Sequence, residues 1–335
     1  MDTTWECIVV GAGAAGLSAA LVLGRARRRT LVVDAGRQSN LVAHGIGGLL
    51  GHGDRAPADF YATGREQIAA HATVELRHGE VVSGGQEEGG FVLELGDGSR
   101  ETARRVLLAI GVGYRYPELP GIEERWGHSV FHCPFCHGWE VRDRPLGVLD
   151  QGGGTGVHQA ILLRAWSDDV TLLSDGPAEL DADEAARLGA AGVGVDERPV
   201  AGLVGPHRTL AAVEFADGGE RPLGGLLVPV VRAQRGTLAG QLGATTAPAG
   251  PLSSGIVQVD PTTFATSVPG LYAAGDIGTN MPSVANAVAA GASAAAMMIH
   301  GLMTEAGELA STGRGAEDDD VDRRRRAEQR PGSSA

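Results

Sequence analysis

Residues Ile8 to Val10 form a short β-branched run that leads into Gly11-Ala12-Gly13-Ala14-Ala15-Gly16, after which Leu17-Ser18-Ala19-Ala20-Leu21-Val22-Leu23 reads as a helix. The order is strand, turn, helix, and few local patterns restrict a fold more. The GxGxxG spacing suits a dinucleotide. Gly11 permits the tight turn, Gly13 lets backbone approach a pyrophosphate, and Gly16 lets helix and strand pack closely. In a chain with 52 glycines the spacing alone decides little, and two further segments give it meaning.

Leu31-Val32-Val33-Asp34 is a second strand ending in an acid about twenty residues beyond the glycines, where a carboxylate can accept hydrogen bonds from ribose hydroxyls. Far downstream, Pro269-Gly270-Leu271-Tyr272-Ala273-Ala274-Gly275-Asp276-Ile277 gives another strand with Gly-Asp at its end. Val284 to Met298 then reads as a small-residue helix whose N-terminus points at whatever Asp276 holds.

On these residues the chain resembles the two-dinucleotide-binding-domain flavoproteins over roughly Trp5 to Leu302. The resemblance implies an α/β fold of two Rossmann-like three-layer domains. The first, discontinuous over 1–114 and 247–305, binds FAD, and 115–246 is an inserted NAD(P)-type domain. It implies FAD contacts from Gly11, Gly13, Ala14, Ala15 and Gly16, from Asp34, from Ala109 and Gly111, and from Gly275, Asp276, Ser283 and Val284.

Composition agrees with such a chain. At 335 residues it exceeds what one hydrophobic core usually organises, so two domains are expected. No apolar run is read as approaching the roughly 20 residues that span a bilayer. The first residues lack the basic start and apolar core of an export signal, so the expectation is a cytoplasmic protein. A net charge of −13 argues against nucleic acid as a partner. There is no lysine, which excludes a P-loop lysine and any lysine Schiff base. From about Ala306 the chain changes in kind. Glu317-Asp318-Asp319-Asp320 followed by Arg323-Arg324-Arg325-Arg326 shows no apolar periodicity and reads as a disordered charged tail, 306–335.

Three cysteines do not make a disulfide framework, and Cys7, inside the apolar run Cys7-Ile8-Val9-Val10, reads as a small buried hydrophobe. Cys133-Pro134-Phe135-Cys136-His137 is different, since two thiols at this spacing can open and close a disulfide beside a proton-carrying histidine. CxxCH is also a c-type haem attachment pattern, though attachment follows export. Structural zinc would need His132 and His137 as further ligands from one crowded loop, and no second CxxC exists.

A CxxC in the inserted domain, shortly before a second glycine turn, resembles the low-molecular-weight thioredoxin reductases. In the mechanism this implies, Cys136 lies against the isoalloxazine and Cys133 faces outward for interchange with substrate. That family carries an aspartate directly after the second cysteine, where this chain has His137, which makes His137 the general-base candidate. His132 is the lesser candidate, with a solvent-exposed loop histidine as its default reading.

The second turn departs from the pattern. Gln151 occupies the first glycine position, before Gly152-Gly153-Gly154-Thr155-Gly156. After the next strand, Val170-Thr171-Leu172-Leu173, the resembled reductases place a His-Arg-Arg cluster on the 2′-phosphate of NADPH, and here the chain reads Ser174-Asp175-Gly176. An acid there replaces attraction by repulsion, which near a surface reaches about 4 kcal/mol at contact distance. Asp175 could still accept from a free ribose, leaving an NADH site open, but Gln151 and the atypical Pro229-Val230-Val231-Arg232 favour a degenerate one.

In CP[aromatic]CH and the missing arginines the chain resembles the thioredoxin-reductase-like dithiol oxidases of gliotoxin- and holomycin-type natural products. The activity implied is FAD-dependent oxidation of a small-molecule dithiol, with O2 as acceptor giving H2O2. The family also implies a homodimer, with no membrane or nucleic-acid partner. An NAD(P)H-dependent or ferredoxin-fed disulfide reductase, and a non-catalytic flavin-binding redox sensor, are the alternatives. Pocket residues are expected from Gln38 to Gly53, where no spacing names the substrate.

Overall fold

The computed structural model describes residues 4–150 and 155–307. The N-terminal reading holds with wider bounds. β1 (Trp5–Val10) and α1 (Ala14–Arg25) flank the glycine turn, and β2 (Thr30–Asp34) pairs parallel to β1 with Val10 opposite Val33. α2 (Pro57–Ala69) leads to β3 (Val74–His78), followed by β4 (Val81–Glu87), β5 (Gly90–Leu95) and β6 (Arg100–Leu108). These strands form one sheet in the order β3-β2-β1-β6-β5-β4, and the late strand Leu271–Ala273 pairs parallel to β6. The run β4-β5-β6 is antiparallel, and the rest of the sheet is parallel.

Continuous apolar runs in β1 and β2 follow from burial on both faces. Cys7, Val9 and Val32 enter the core shared with α1, while Ile8, Val10, Leu31 and Val33 enter the opposite core with Leu93, Leu238 and Val257. Cys7 is fully buried, as its apolar context predicts.

The middle of the chain builds a second unit. β7 (Val112–Arg115) leaves the first sheet, and β8 (Val130–Phe131) precedes α3 (Pro134–Val141), β9 (Leu146–Leu149), α4 (Thr155–Leu163), β10 (Val170–Leu173), α5 (Ala182–Ala190) and β11 (Gly194–Asp196). β12 (Val200–Val204), β13 (Ala212–Phe215) and β14 (Glu220–Pro222) form an antiparallel meander before β15 (Gly225–Leu227). The parallel sheet runs β11-β10-β9-β15-β8. The chain is thus α/β, with two Rossmann-like layered units.

A ribbon joins them. β16 (Val231–Gln234) pairs antiparallel with β7 and parallel with β17 (Ser253–Ser254), with α6 (Leu238–Gln241) between the last two. The chain then returns to the first sheet through β18 (Leu271–Ala273) and ends its described part in α7 (Val284–Glu305). α7 is capped at Ala306, and the charged segment from residue 308 lies outside the described residues, as does Gln151 with the three glycines after it.

One expectation needs correcting. α7 spans 22 residues and is long and apolar enough by composition to cross a membrane. The reading from sequence stopped the helix at Met298 and so undercounted it. Its small-residue face is packed against α1: a Cβ at Gly291 would stand 2.0 Å from the Ala15 carbonyl oxygen, and Ala294, Ala295 and Met298 are fully buried. Ser18 Oγ donates to Val288 O at 2.8 Å across the same contact.

Candidate functional site

The glycine turn is built as its spacing requires. Gly11 has φ +101, and a Cβ there would lie 2.5 Å from the carbonyl oxygen of Ala109. A Cβ at Gly16 would lie 1.8 Å from Gly11 O, so strand and helix meet in direct backbone contact. Gly13 is the exception: the nearest atom to a Cβ there is Gln38 Cγ at 3.8 Å. Gly13 is also the N-cap of α1 and has no side chain to satisfy the first-turn N–H groups of Ala14 and Ala15. Open space above uncapped amides at a helix N-terminus suits a phosphate group.

Asp34 is buried at the end of β2, and its Oδ1 accepts from Ala12 N at 3.2 Å, Gly36 N at 3.2 Å and Gln38 Nε2 at 3.1 Å. The carboxylate therefore braces the turn, and Oδ2, which among the described residues accepts one hydrogen bond, from Gln38 Nε2 at 3.3 Å, carries its remaining accepting capacity. Gln38 also donates to Ala12 O at 3.3 Å. Gln38 opens the segment expected to supply pocket residues, but its bond to Asp34 was not read from the sequence, although its place four residues after the acid was a usable signal.

At the other wall, Gly275 has φ +81 and starts a short 3-10 turn at Asp276. Burial pushes the Asp276 carboxyl up to about 6, against the pull of Arg232 and Arg235. Ser283 caps α7 by accepting from Asn286 N at 3.1 Å, and Val284 opens the helix. Ala109 and Gly111, the latter with φ +63, close the end of β6.

These groups surround one cavity of about 400 Å³. Every candidate residue lines it except Gly16, which is occupied by helix–strand packing, and Cys133. Gln38 to Gly48 contributes much of one wall, within the segment expected to supply pocket residues.

The two cysteines are joined as a disulfide with Cα atoms 5.3 Å apart. Cys133 is the N-cap of α3 and its carbonyl accepts from Cys136 N and His137 N, both at 3.2 Å. Pro134 at the first helical position fixes the entry to the helix. Cys136 is exposed on the cavity wall, while Cys133 is half-buried beside it, so Cys133 is not the more outward-facing residue that the resemblance implies.

His137 Nε2 lies 3.2 Å from Gly127 O. A carbonyl only accepts, so Nε2 carries the hydrogen and Nδ1 the lone pair. Nδ1 is buried without a partner among the described residues. The ring stacks on Phe131 at 5.7 Å, and burial holds its pKa below the ordinary value, opposed by the carbonyls of Gly127 and Cys133.

His132 corrects the reading of an exposed loop histidine. It packs against the rings of Tyr114, 4.4 Å away, and Trp126, 5.5 Å away, which also touch each other at 6.5 Å, and burial, with His137 and Arg232 nearby, pushes its pKa down to about 4. Nothing in the local sequence signalled this three-ring cluster, because Tyr114 comes from β7 and Trp126 from a later loop.

In the second unit, Asp175 has φ +53 and its Oδ1 accepts from Val200 N at 2.7 Å, so part of the carboxylate is already engaged in tying a loop. Asp150, at the end of β9, packs over the start of α4: a Cβ at Gly156 would stand 2.5 Å from its carboxyl carbon. A carboxylate thus stands beside the helix N-terminus at which a nucleotide pyrophosphate would be received.

The sequence profile of the family described as pyridine nucleotide-disulphide oxidoreductase matches residues 5–291. The chain is 32% identical over 295 residues to the thioredoxin reductase tcpT of Claviceps purpurea, covering 85% of this chain and 90% of that protein. It is 30% identical over 309 residues to the thioredoxin reductase sirT of Leptosphaeria maculans, covering 87% and 92%. Among solved structures it resembles HlmI, with a TM-score of 0.84 and 35% identity over 98% of this chain and 97% of the other. An oxidoreductase from Agrobacterium tumefaciens gives a TM-score of 0.84 and 36% identity, covering 90% and 99%.

Proposed function

Within the pyridine nucleotide-disulphide oxidoreductase family, to which this chain belongs, we propose that it oxidises a small-molecule dithiol to a disulfide through the Cys133–Cys136 pair. The chain is an FAD-dependent thiol–disulfide oxidoreductase, so the proposal concerns the direction of electron flow and the substrate. The observation that carries the direction is Asp175, tied to Val200 N where the resembled reductases place arginines for a 2′-phosphate; the division of the pair, with Cys136 on the wall shared with the glycine turn, Asp34 and Asp276 and Cys133 off it, assigns the two sulfurs.

The residues fit the cofactor. The uncapped amides beside Gly13, the open space there, Oδ2 of Asp34 and the Asp276 carboxyl provide the donors and acceptors that a dinucleotide needs. When bound, FAD would supply a two-electron acceptor for the cysteine pair, with dioxygen as the proposed terminal oxidant and hydrogen peroxide as its product.

The remaining chemistry belongs to the chain. A substrate thiolate attacks Cys133 Sγ, the Cys133–Cys136 bond breaks, and Cys136 leaves as a thiolate. The second substrate thiol gives up its proton and attacks the substrate sulfur of the mixed disulfide. A substrate disulfide forms and Cys133 is released, so the substrate is oxidised by two electrons and the cysteine pair reduced by two. His137, neutral and next to Cys136 on α3, is the base proposed to take up the proton.

The direction is supported by the second unit. No arginine follows β10 in the resembled pattern, Asp175 is bound to Val200 N, and Asp150 stands over α4. A nicotinamide donor is therefore disfavoured. Anaerobic mixing tests this: a dithiol should bleach the visible flavin band and air should restore it, whereas bleaching by NADH or NADPH would indicate a reductase.

A further inference from the structure

Arg235 approaches the same cavity from the connecting ribbon, just after β16 and far in sequence from the glycine turn. Its Nε donates to Val112 O at 3.0 Å and its Nη1 to the carbonyl oxygen of Arg37. One anchor lies on β7 and the other in the loop after β2, so the guanidinium is fixed from two elements. Nη2 makes no hydrogen bond among the described residues, and no carboxylate there forms an ion pair with Arg235. Asp276 and Tyr114 act on it through space only, while burial and the neighbouring Arg37 charge lower its pKa.

Arg235 is half-buried, and a partly desolvated cation without a paired anion is disfavoured, since two carbonyl anchors offset only part of its charge. Arg37, the other arginine on the wall, is already paired with Glu80. In a chain without lysine, Arg235 is thus the cation left to meet an anion in this cavity. Its anchors, the carbonyls of Arg37, three residues beyond Asp34, and of Val112, next to Gly111, fix it among the candidate FAD residues of the first unit. We propose that Arg235 binds the pyrophosphate of FAD through its free Nη2 edge, in the cavity that the glycine turn also lines. The assignment rests on FAD as cofactor and is independent of the direction of electron flow.

The test uses full-length holoenzyme carrying Arg235→Met or Arg235→Lys. FAD dissociation is followed by flavin fluorescence across a salt series, and bound FAD by phosphorus NMR. The Met variant should raise the FAD dissociation constant roughly tenfold or more, the scale of one charge-assisted hydrogen bond, and flatten its salt dependence. It should also move at least one pyrophosphate resonance. The Lys variant, keeping the charge, should bind FAD more tightly than the Met variant, which separates charge from a folding defect. Unchanged affinity and phosphorus resonances in the Met variant would overturn the assignment, as would changes confined to the visible flavin spectrum or equal losses in both variants.

Discussion

The Nε2–H of His137 donates to the main-chain oxygen of Gly127 across 3.2 Å, which leaves Nδ1 as the basic nitrogen. Gly127 has φ +75, and a Cβ there would lie 2.7 Å from Val42 Cγ2, so the turn that presents this carbonyl is itself closely packed. Because burial lowers the His137 pKa, the ring is neutral and proton-accepting at neutral pH. Protonation removes that capacity, so kcat/KM should fall as pH drops through an inflection below the ordinary histidine value of about 6.5. Oxygen-uptake rates across pH should show this limb, and His137→Ala should lose it and be slower at neutral pH by roughly 10²-fold.

The cysteines should fail at different steps. Cys133→Ser removes the sulfur assigned to substrate attack, and Cys136→Ser the one on the cavity wall. Both variants should retain FAD and lose turnover. Under anaerobic conditions Cys136→Ser should not pass electrons from a dithiol to the flavin, as read by visible absorbance. Turnover in Cys136→Ser would remove it from the electron path.

The glycines of the first turn should separate fold from cofactor. Gly13 faces open space, so Gly13→Val should fold, by circular dichroism, yet purify with little FAD. Gly16→Val places a side chain on the Gly11 carbonyl and should fail to accumulate as folded protein. A Gly13→Val protein that stays yellow would refute the phosphate role of that turn.

This contrast marks what was legible in the chain. The GxGxxG turn, β2 with its terminal acid and the late Gly-Asp could be read because backbone geometry forces particular residues at fixed local spacing. The Cys133–Cys136 disulfide was legible because two cysteines three positions apart can close one. The Tyr114–His132–Trp126 ring cluster, the Gly127 carbonyl bonded to His137 and Arg235 were not, because each depends on elements brought together only by the fold. The length of α7 was misjudged because its last two turns, Ile299 to Glu305, mix polar residues into an otherwise apolar pattern.

His132 should give stability a pH signature. Its folded pKa, about 4, lies below its unfolded value of about 6.5, so the unfolded chain binds more protons between them. Its contribution is complete above about 6.5 and is lost as pH falls toward 4. Asp276, with its carboxyl raised to about 6, acts in the opposite sense, stabilising as pH falls from there. His132→Phe keeps Asp276, His137 and Arg232 and removes only the His132 titration. Thermal melts should therefore show the variant gaining on the unmodified protein as pH is lowered from 7 to 5. A constant difference would mean that His132 titrates normally.

The central claim is that electrons enter through the sulfur pair and not through a nicotinamide. It is tested most directly by anaerobic stopped-flow of the yellow holoenzyme against a dithiol, NADH and NADPH in parallel. The expected result is flavin bleaching by the dithiol alone, with colour and stoichiometric peroxide returning on admission of air. Rapid bleaching by either nicotinamide, with none by dithiols, would contradict it.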